Sequence, residues 1–146
     1  MGSSTSFSFR LTAGNFAPVN TVAPEIAREV NANVIALADL GDLMTLQNEG
    51  LREAGVEYEE PVIQAGATET AIVLAVNEGL VRTDELDISH EGDLSVSRLL
   101  SSGFKTIAES GVLGDPRKGT AEPGEAILDR ITAAYVERIE AERNAV

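Results

Sequence analysis

Residues 7–40, FSFRLTAGNFAPVNTVAPEIAREVNANVIALADL, form the stretch of sequence that decides the fold. Its first residues alternate between apolar and polar side chains, as in a strand with one face toward a core, and the apolar ones are Phe7, Phe9 and Leu11. Residues 33–40, NVIALADL, are a short apolar run of strand length. A helical pattern lies between the two runs. This order predicts a βαβ unit, with two parallel strands in a sheet that is covered on both faces.

The helical pattern between the strands is expected to begin at Asn20 or Thr21, because either side chain can cap a helix. Pro24 is then tolerated in the first turn, where its missing N–H removes no helical hydrogen bond. Four-residue spacing places three apolar residues on one face: Val22, Ile26 and Val30. We expect this helix to end near residues 31–33.

Three further patterns follow along the chain. Residues 44–54 are expected to form a helix ended by Gly55, since glycine tolerates the positive φ found just past a helix end. Residues 68–81 are apolar nearly all round, which predicts a helix buried within the domain or between subunits. Residues 82–118 are rich in turn-forming residues and are expected to be mostly irregular.

The last helix is expected to begin around Thr120 and Glu122, with Pro123 in its first turn. Its apolar stripe consists of Leu128, Ile131, Tyr135 and Ile139. The sequence therefore predicts a single layered α/β domain over residues 7–146, with a mainly parallel sheet flanked by helices. Residues 1–6 lack the features of a signal peptide and are expected to be a disordered tail.

Composition narrows the classes of partner. The chain has 146 residues, of which 43% are hydrophobic, enough for one sizeable core. Eleven basic residues against 24 acidic ones give a net charge of −13, which opposes binding to nucleic acid or to an anionic membrane. The longest strongly apolar run, residues 71–76, is too short to cross a bilayer, so we predict a cytoplasmic protein. A salt-adapted host and an ordinary acidic bacterial protein explain the acidity equally well.

Few residues are available for chemistry. The chain has no cysteine, which excludes thiolate nucleophiles and cysteine-based zinc sites, and its one histidine is His90. A nucleophilic triad needs His90, which in a polar loop is more typical of a surface residue. A zinc site at residues 90–93 lacks a further ligand. Three carboxylates are expected to form a solvated run rather than a calcium or magnesium site: Glu57, Glu59 and Glu60. The motifs of nucleotide-binding loops are absent.

Three segments, in order along the chain, resemble the creatininase (creatinine amidohydrolase) family of metal-dependent hydrolases. Residues 10–18, RLTAGNFAP, are similar to the strand-end motif N-G-H-G-G-N and the residues after it. Residues 64–71, QAGATETA, resemble the motif H-A-G-x-x-E-T-S. Residues 111–125, which begin GVLGDP and end TAEPGE, resemble the ending G-V-x-G-D-P…T-A-E-x-G-E. The three segments together, in this order, are a fairly specific signature.

The resemblance implies a layered α/β fold, an oligomer and hydrolysis of an amide or cyclic amide at a two-metal centre, with zinc or manganese as the metal. The family's ligand histidine at the strand end corresponds to Thr12, and its catalytic histidine corresponds to Gln64. Asn15 and Glu69 match the family's polar positions. The family's N-terminal segment with a Glu-x-His pair has no counterpart, so the fold is expected to be creatininase-like and truncated at its N-terminus.

We therefore expect a domain that has lost metal-dependent amide hydrolysis and serves as a non-catalytic subunit or small-molecule binder. Thr12, Asn15, Gln64 and Glu69 are expected to line a remnant pocket. No cofactor and no metal are expected for this chain alone, with Glu69 the only acidic site residue that is retained. Glu69 also suits the first turn of a helix, where an acid interacts favourably with the helix dipole.

Two alternatives remain. One is an active amidohydrolase completed by a missing N-terminal segment or by a second chain. The other is a purely structural protein that forms oligomers. In each case we expect a homo-oligomer, because the apolar residues of 68–81 need cover.

Overall fold

The computed structural model describes residues 5–9, 15–37, 39–60, 64–86 and 96–145. Within these ranges the elements are β1 (Thr5–Phe9), α1 (Phe16–Val30), β2 (Asn33–Leu37), α2 (Leu40–Glu53), α3 (Ala67–Asn77), α4 (Val96–Ser102) and α5 (Ala121–Asn144). Short 3-10 turns occupy Glu78–Leu80, Thr83–Glu85, Phe104–Thr106 and Pro116–Lys118. Two compact units are present, one formed by the residues up to Leu43 and from Thr132 onward, the other by Met44–Ile131.

The first unit contains the βαβ arrangement. β1 and β2 pair in parallel, with Thr5 opposite Asn33 and Phe9 opposite Leu37. α1 connects the two strands and contacts β2. Residues 1–4 and 10–14 lie outside the described residues. Thr5 and Ser6, which were expected to belong to the disordered tail, are part of β1 instead.

The α/β class is supported by this unit. Among the described residues, β1 and β2 are the two strands, and Gln64 and Leu113 add one isolated antiparallel bridge. A larger layered and mainly parallel sheet therefore stays a prediction.

The prediction for the start of α1 was wrong. The helix begins at Phe16 with Asn15 at its N-cap, and Pro24 lies inside it. Thr21 does not cap the helix, because its hydroxyl donates back to the carbonyl of Ala17 at 2.8 Å. The predicted end is confirmed at Asn31, which has φ 47° and donates its N–H to the carbonyl of Ala27.

The predicted apolar face of α1 is not its buried face. Val22, Ile26 and Val30 are all exposed, whereas Phe16 is buried. In this first unit the other buried apolar side chains include those of Ile35 and Leu37 on β2. The three residues share one face of α1, as their spacing predicts, but that face is exposed.

α2 begins four residues earlier than predicted. Its start is set by Asp39, whose Oδ1 accepts the N–H of Asp42 at 3.0 Å, a cap that the sequence analysis missed. The predicted end is confirmed: Gly55 follows the helix with φ 77°, a conformation that glycine adopts without strain.

α3 is shorter and more exposed than predicted. It ends at Asn77, whose side chain accepts the N–H of Gly79 at 3.0 Å and starts a 3-10 turn. Its first turn is buried, but Val73, Val76 and Leu80 are 37%, 68% and 69% exposed. Burial within the domain was therefore a wrong prediction for this end of the segment, and burial between subunits stays a prediction.

The segment predicted to be irregular contains α4, a helix that its sequence pattern did not predict, together with three of the 3-10 turns. Residues 87–95, with His90, lie outside the described residues. The last helix is confirmed as α5, with Pro123 in its first turn. Ile131 of the predicted stripe is buried, but Ile127 rather than Leu128 is its fully buried neighbour.

Helices of the second unit approach one another closely at glycines. A Cβ on Gly50 of α2 would lie 2.5 Å from the Ile127 side chain of α5, and one on Gly124 would overlap the Ala71 carbonyl of α3. Arg130 of α5 adds a salt bridge to Glu49 of α2 at 2.5 Å. This packing places the start of α3 in the interior of the unit.

No helix in the described part of the chain is both long enough and apolar enough to span a membrane.

Candidate functional site

The four candidate site residues do not all lie in the same part of the structure. Thr12 lies outside the described residues. Asn15 is in the first unit, at the N-cap of α1, where its side chain makes no capping hydrogen bond. Gln64 and Glu69 both belong to the second unit and flank the turn that leads into α3, but of the two only Glu69 lines the pocket described below.

This turn, residues 64–68, brings the second and third family-like segments into contact. The Gln64 carbonyl accepts the N–H of Leu113 at 2.9 Å. Ala65 has φ 53°, an uncommon conformation for a residue with a side chain. Its N–H donates to Oε2 of Glu69 at 2.5 Å, so the Glu69 side chain reaches back across the turn.

Glu60, which precedes the turn in the sequence, also binds it through its side chain. Its carboxylate is buried and accepts the N–H groups of Ala67 at 2.8 Å and Thr68 at 3.0 Å, as well as the Thr68 hydroxyl at 2.5 Å. These are N–H groups of the first turn of α3, which have no partner inside the helix. A negative charge is also favourable at that end of the helix dipole.

The expectation of a solvated run was wrong for Glu60, although Glu57 and Glu59 are exposed as predicted. The sequence feature that reflects the burial of Glu60 is a pair of glycines, Gly66 and Gly114. A Cβ on either glycine would overlap Oε1 of Glu60. Sequence alone does not bring these glycines to residue 60.

Both carboxyl groups are perturbed by burial. Desolvation raises the pKa of Glu60, while its hydrogen bonds from Thr68 and Ala67 oppose the rise and the nearby charge of Glu69 adds to it. Desolvation likewise raises the pKa of Glu69, against the lowering effect of the Ala65 N–H. Glu69 therefore holds a proton at higher pH than an exposed glutamate does.

A pocket of about 420 Å³ lies beside Glu69. Most of its walls are apolar or small, and its polar groups include the carboxylate of Glu69 and the guanidinium of Arg82, which forms an exposed salt bridge with Glu85 at 2.8 Å. The lining residues are Ala65, Glu69, Thr70, Val73, Leu80, Val81, Arg82, Glu85, Leu86, Ser110, Val112 and Pro116. Glu60 is not among them. The arrangement suits a small ligand with an apolar part and a polar group directed at Glu69.

The third family-like segment supports this pocket from one side. Asp115 is buried and receives the N–H of Arg117 at 3.1 Å, which caps the turn Pro116–Lys118. The Arg117 guanidinium holds the pKa of Asp115 below its usual range. The hydroxyl of Tyr58 accepts the Asp115 N–H at 3.1 Å. This segment is thus fixed by polar contacts on both sides of Asp115.

The described residues do not fit a two-metal centre. They contain no group of three or more His, Cys, Asp or Glu side chains placed to hold a metal ion. One oxygen of Glu69 and both oxygens of Glu60 already accept N–H groups of the turn. Thr12 and His90 lie outside the described part of the chain.

Comparison with known proteins agrees with the motifs. The sequence model for creatinine amidohydrolase, the creatininase family, matches residues 12–139. The mycofactocin precursor peptide peptidase of Mycolicibacterium smegmatis (strain ATCC 700084 / mc(2)155) is 35% identical over 112 residues, which cover 73% of this chain and 44% of that protein. The protein of the same name from Mycobacterium ulcerans (strain Agy99) is 34% identical over 77 residues, 51% of this chain and 31% of that protein.

The chain thus spans less than half the length of these relatives. No solved structure matches it significantly. The family match covers most of the chain, including all of residues 64–125, where the described turn and pocket lie. The chain belongs to the creatinine amidohydrolase (creatininase) family.

Proposed function

We propose that this chain binds an amide or short-peptide ligand in the pocket beside Glu69 and does not hydrolyse it by itself. The observation that carries the proposal is the half-buried Glu69 carboxyl group on the wall of a largely apolar pocket. A carboxylate in such surroundings accepts an amide N–H from the ligand, and its protonated form donates to an amide carbonyl. The raised pKa of Glu69 makes the second form accessible at higher pH than for an exposed glutamate.

The size and lining of the pocket support binding. About 420 Å³ falls within the range of small-molecule pockets. Val73, Leu80 and Val112 supply apolar contact, and Ser110 supplies a hydroxyl. Arg82 and Glu85, which form an ion pair, add further polar groups to the lining.

The residue types at the matched motif positions argue against hydrolysis by the chain alone. Gln64 stands where the family motif has its catalytic histidine, and an amide does not accept a proton near neutral pH. Thr12 stands where the motif has a ligand histidine, and a neutral hydroxyl is a poor substitute for imidazole. Metal hydrolysis needs ligands that hold the ion and a group that moves the proton.

Binding is tested with two probes, creatinine and N-acetyl-leucinamide, the second of which carries amide groups and an apolar side chain. We expect N–H signals of Ala65, Glu69 and Val112 to shift in NMR titrations of the parent protein. Glu69→Gln should weaken binding about tenfold, because a charge-assisted hydrogen bond is lost. Glu78→Gln is the matched control, since Glu78 is exposed and does not line the pocket.

A second candidate is an active amide hydrolase that another polypeptide segment completes. It is favoured by the 35% identity to a relative named as a peptidase and by the 44% share of that relative that the chain covers. This candidate requires metal-dependent cleavage of a peptide or cyclic amide once the completing segment is present. A chain that binds the probes equally well with Glu69→Gln would contradict the first candidate.

A further inference from the structure

Two carboxylates hold the turn before α3, but only one of them reaches the pocket. Glu69 lines the pocket and accepts the Ala65 N–H, whereas Glu60 accepts the N–H groups of Ala67 and Thr68 and does not line it. The buried Glu60 carboxylate therefore has no direct part in ligand contact. Its three hydrogen bonds all go to residues between Ala65 and Glu69.

The turn needs support from outside. Ala65 has φ 53°, and the left-handed region is unfavourable for a residue with a Cβ. Such a conformation persists only where surrounding contacts fix it. The Glu69 bond to Ala65 is local and lies entirely within the turn. The contacts that tie the turn to the rest of the unit include those of Glu60.

Glu60 is itself fixed in place. Asn48 of α2 accepts the Glu60 N–H at 2.7 Å and donates to the Glu60 carbonyl at 3.0 Å. Gly66 and Gly114 leave room for the carboxylate, since a Cβ on either would overlap it. A continuous chain of hydrogen bonds thus runs from α2 through Glu60 to the first turn of α3.

We propose that Glu60 is a positioning residue. It fixes the turn of residues 64–68 and thereby holds the Glu69 carboxylate at the pocket wall. The proposal rests on the proposed function for the role of the pocket, but the positioning itself is measurable without any ligand. Glu60 acts through Ala67 and Thr68 and makes no contact with the ligand.

The test compares the effect of Glu69→Gln on the Ala65 N–H chemical shift in two backgrounds. In the parent protein this substitution should move the Ala65 signal, because the carboxylate acceptor is replaced by an amide. In the Glu60→Gln background the same substitution should move the signal much less, because the turn no longer presents Ala65 to residue 69. A mere helix cap predicts equal shifts in both backgrounds, which would overturn the proposal.

Glu59→Gln is the matched control background, because it makes the same change of charge at an exposed neighbour. It should leave the Ala65 response at its parental size, and a reduced response there would also overturn the proposal. Thr68→Val is the milder variant to use if Glu60→Gln does not fold. It removes only the hydroxyl donor to Glu60 and should reduce the Ala65 response in part, whereas an unchanged response would contradict positioning.

Ligand binding supplies a separate readout. With N-acetyl-leucinamide as the probe, Glu60→Gln should raise Kd about tenfold, the equivalent of about 1.4 kcal/mol, while Glu59→Gln leaves Kd unchanged. If the parent protein does not bind the probe, the proposed function fails, but the Ala65 comparison still decides the role of Glu60. An unchanged Kd in Glu60→Gln, with binding intact in the parent, would contradict positioning.

Discussion

The carboxyl groups of Glu60 and Glu69 accept N–H groups at the N-terminus of α3, whereas the C-terminal half of α3 and the 3-10 turn after it expose three large apolar side chains. The buried charge is that of Glu60, and Val73, Val76 and Leu80 are the exposed apolar residues. Hydropathy alone predicts the reverse. Glu60 is tolerated inside because N–H groups and a hydroxyl satisfy its oxygens. In this segment, burial follows hydrogen bonding and packing partners rather than residue type.

The largest expected effect is at the buried end. Glu60→Ala leaves two N–H groups of α3 without their acceptor, and we expect the free energy of unfolding to fall by about 3 kcal/mol. Chemical denaturation with urea measures this loss. Glu59→Ala, at an exposed neighbour, should change stability by less than about 0.5 kcal/mol. Equal effects at the two positions would show that the buried carboxylate does not stabilise the turn.

Gln47 is a counterexample to Glu60 among the buried polar residues. It is fully buried on α2, and neither its Nε2 nor its Oε1 has a hydrogen-bond partner among the residues that the structure describes. Gln47→Leu should raise the free energy of unfolding by roughly 1–2 kcal/mol, because it removes unsatisfied polar groups from the core. The matched control is Asn48→Leu, which should destabilise, since Asn48 makes two hydrogen bonds to Glu60. A loss of stability in Gln47→Leu would contradict this account of burial.

Stability should also depend on pH through Glu60. Because desolvation raises its pKa in the folded state, its contribution is fully present below the ordinary glutamate pKa. That contribution is lost as the pH rises through the raised value, by about 1.4 kcal/mol for each unit of pKa difference. The stability of the parent relative to Glu60→Gln should therefore fall across this window, as measured by urea denaturation at a series of pH values.

Asp115 provides the control of opposite sign. Its bond to Arg117 lowers its pKa, so its contribution is present above the ordinary aspartate pKa and is lost as the pH falls through the lowered value. The parent should lose stability relative to Asp115→Asn on acidification. For Glu60, a stability difference between the parent and Glu60→Gln that is constant with pH would contradict the raised pKa.

The smallest effect is expected at the exposed end of α3. Val76→Ser should change the free energy of unfolding by less than about 0.5 kcal/mol, because this side chain is 68% exposed. By contrast, Leu51→Ala should cost about 2–5 kcal/mol, since Leu51 is fully buried. A large loss in Val76→Ser, together with a fall in mass by light scattering, would show that another subunit covers this end.

Local signals in the sequence predicted much of the fold. Alternation and apolar runs located the βαβ unit, Asn31 and Gly55 marked helix ends, and the stripe of α5 was largely correct. Helix starts were predicted less well. Asp39 capped α2 where no cap was expected, and Thr21 bonded within α1 instead of capping it. Several residues near the start of each helix have side chains that can cap it. Which of them does so depends on packing against residues that are distant in the sequence.

The candidate site was predicted only in part. The motif resemblance identified Gln64 and Glu69, which the structure places around one turn. It did not identify Glu60, because two exposed glutamates precede it and its partners lie farther along the chain. The motif resemblance also did not identify Arg82 or Val112 as pocket residues. Their position at the pocket depends on how the segments that follow α3 pack against it.

The pocket beside Glu69 is proposed to bind an amide ligand without hydrolysing it. The most direct measurement incubates the protein with N-acetyl-leucinamide, in the absence and presence of zinc or manganese, and follows both the Ala65 N–H shift and the products of hydrolysis. We predict saturable shifts in the parent, weaker binding in Glu69→Gln, and no product above the buffer rate under either condition. Metal-dependent product formation that Glu69→Gln abolishes, or the absence of any ligand-induced shift, would contradict the account.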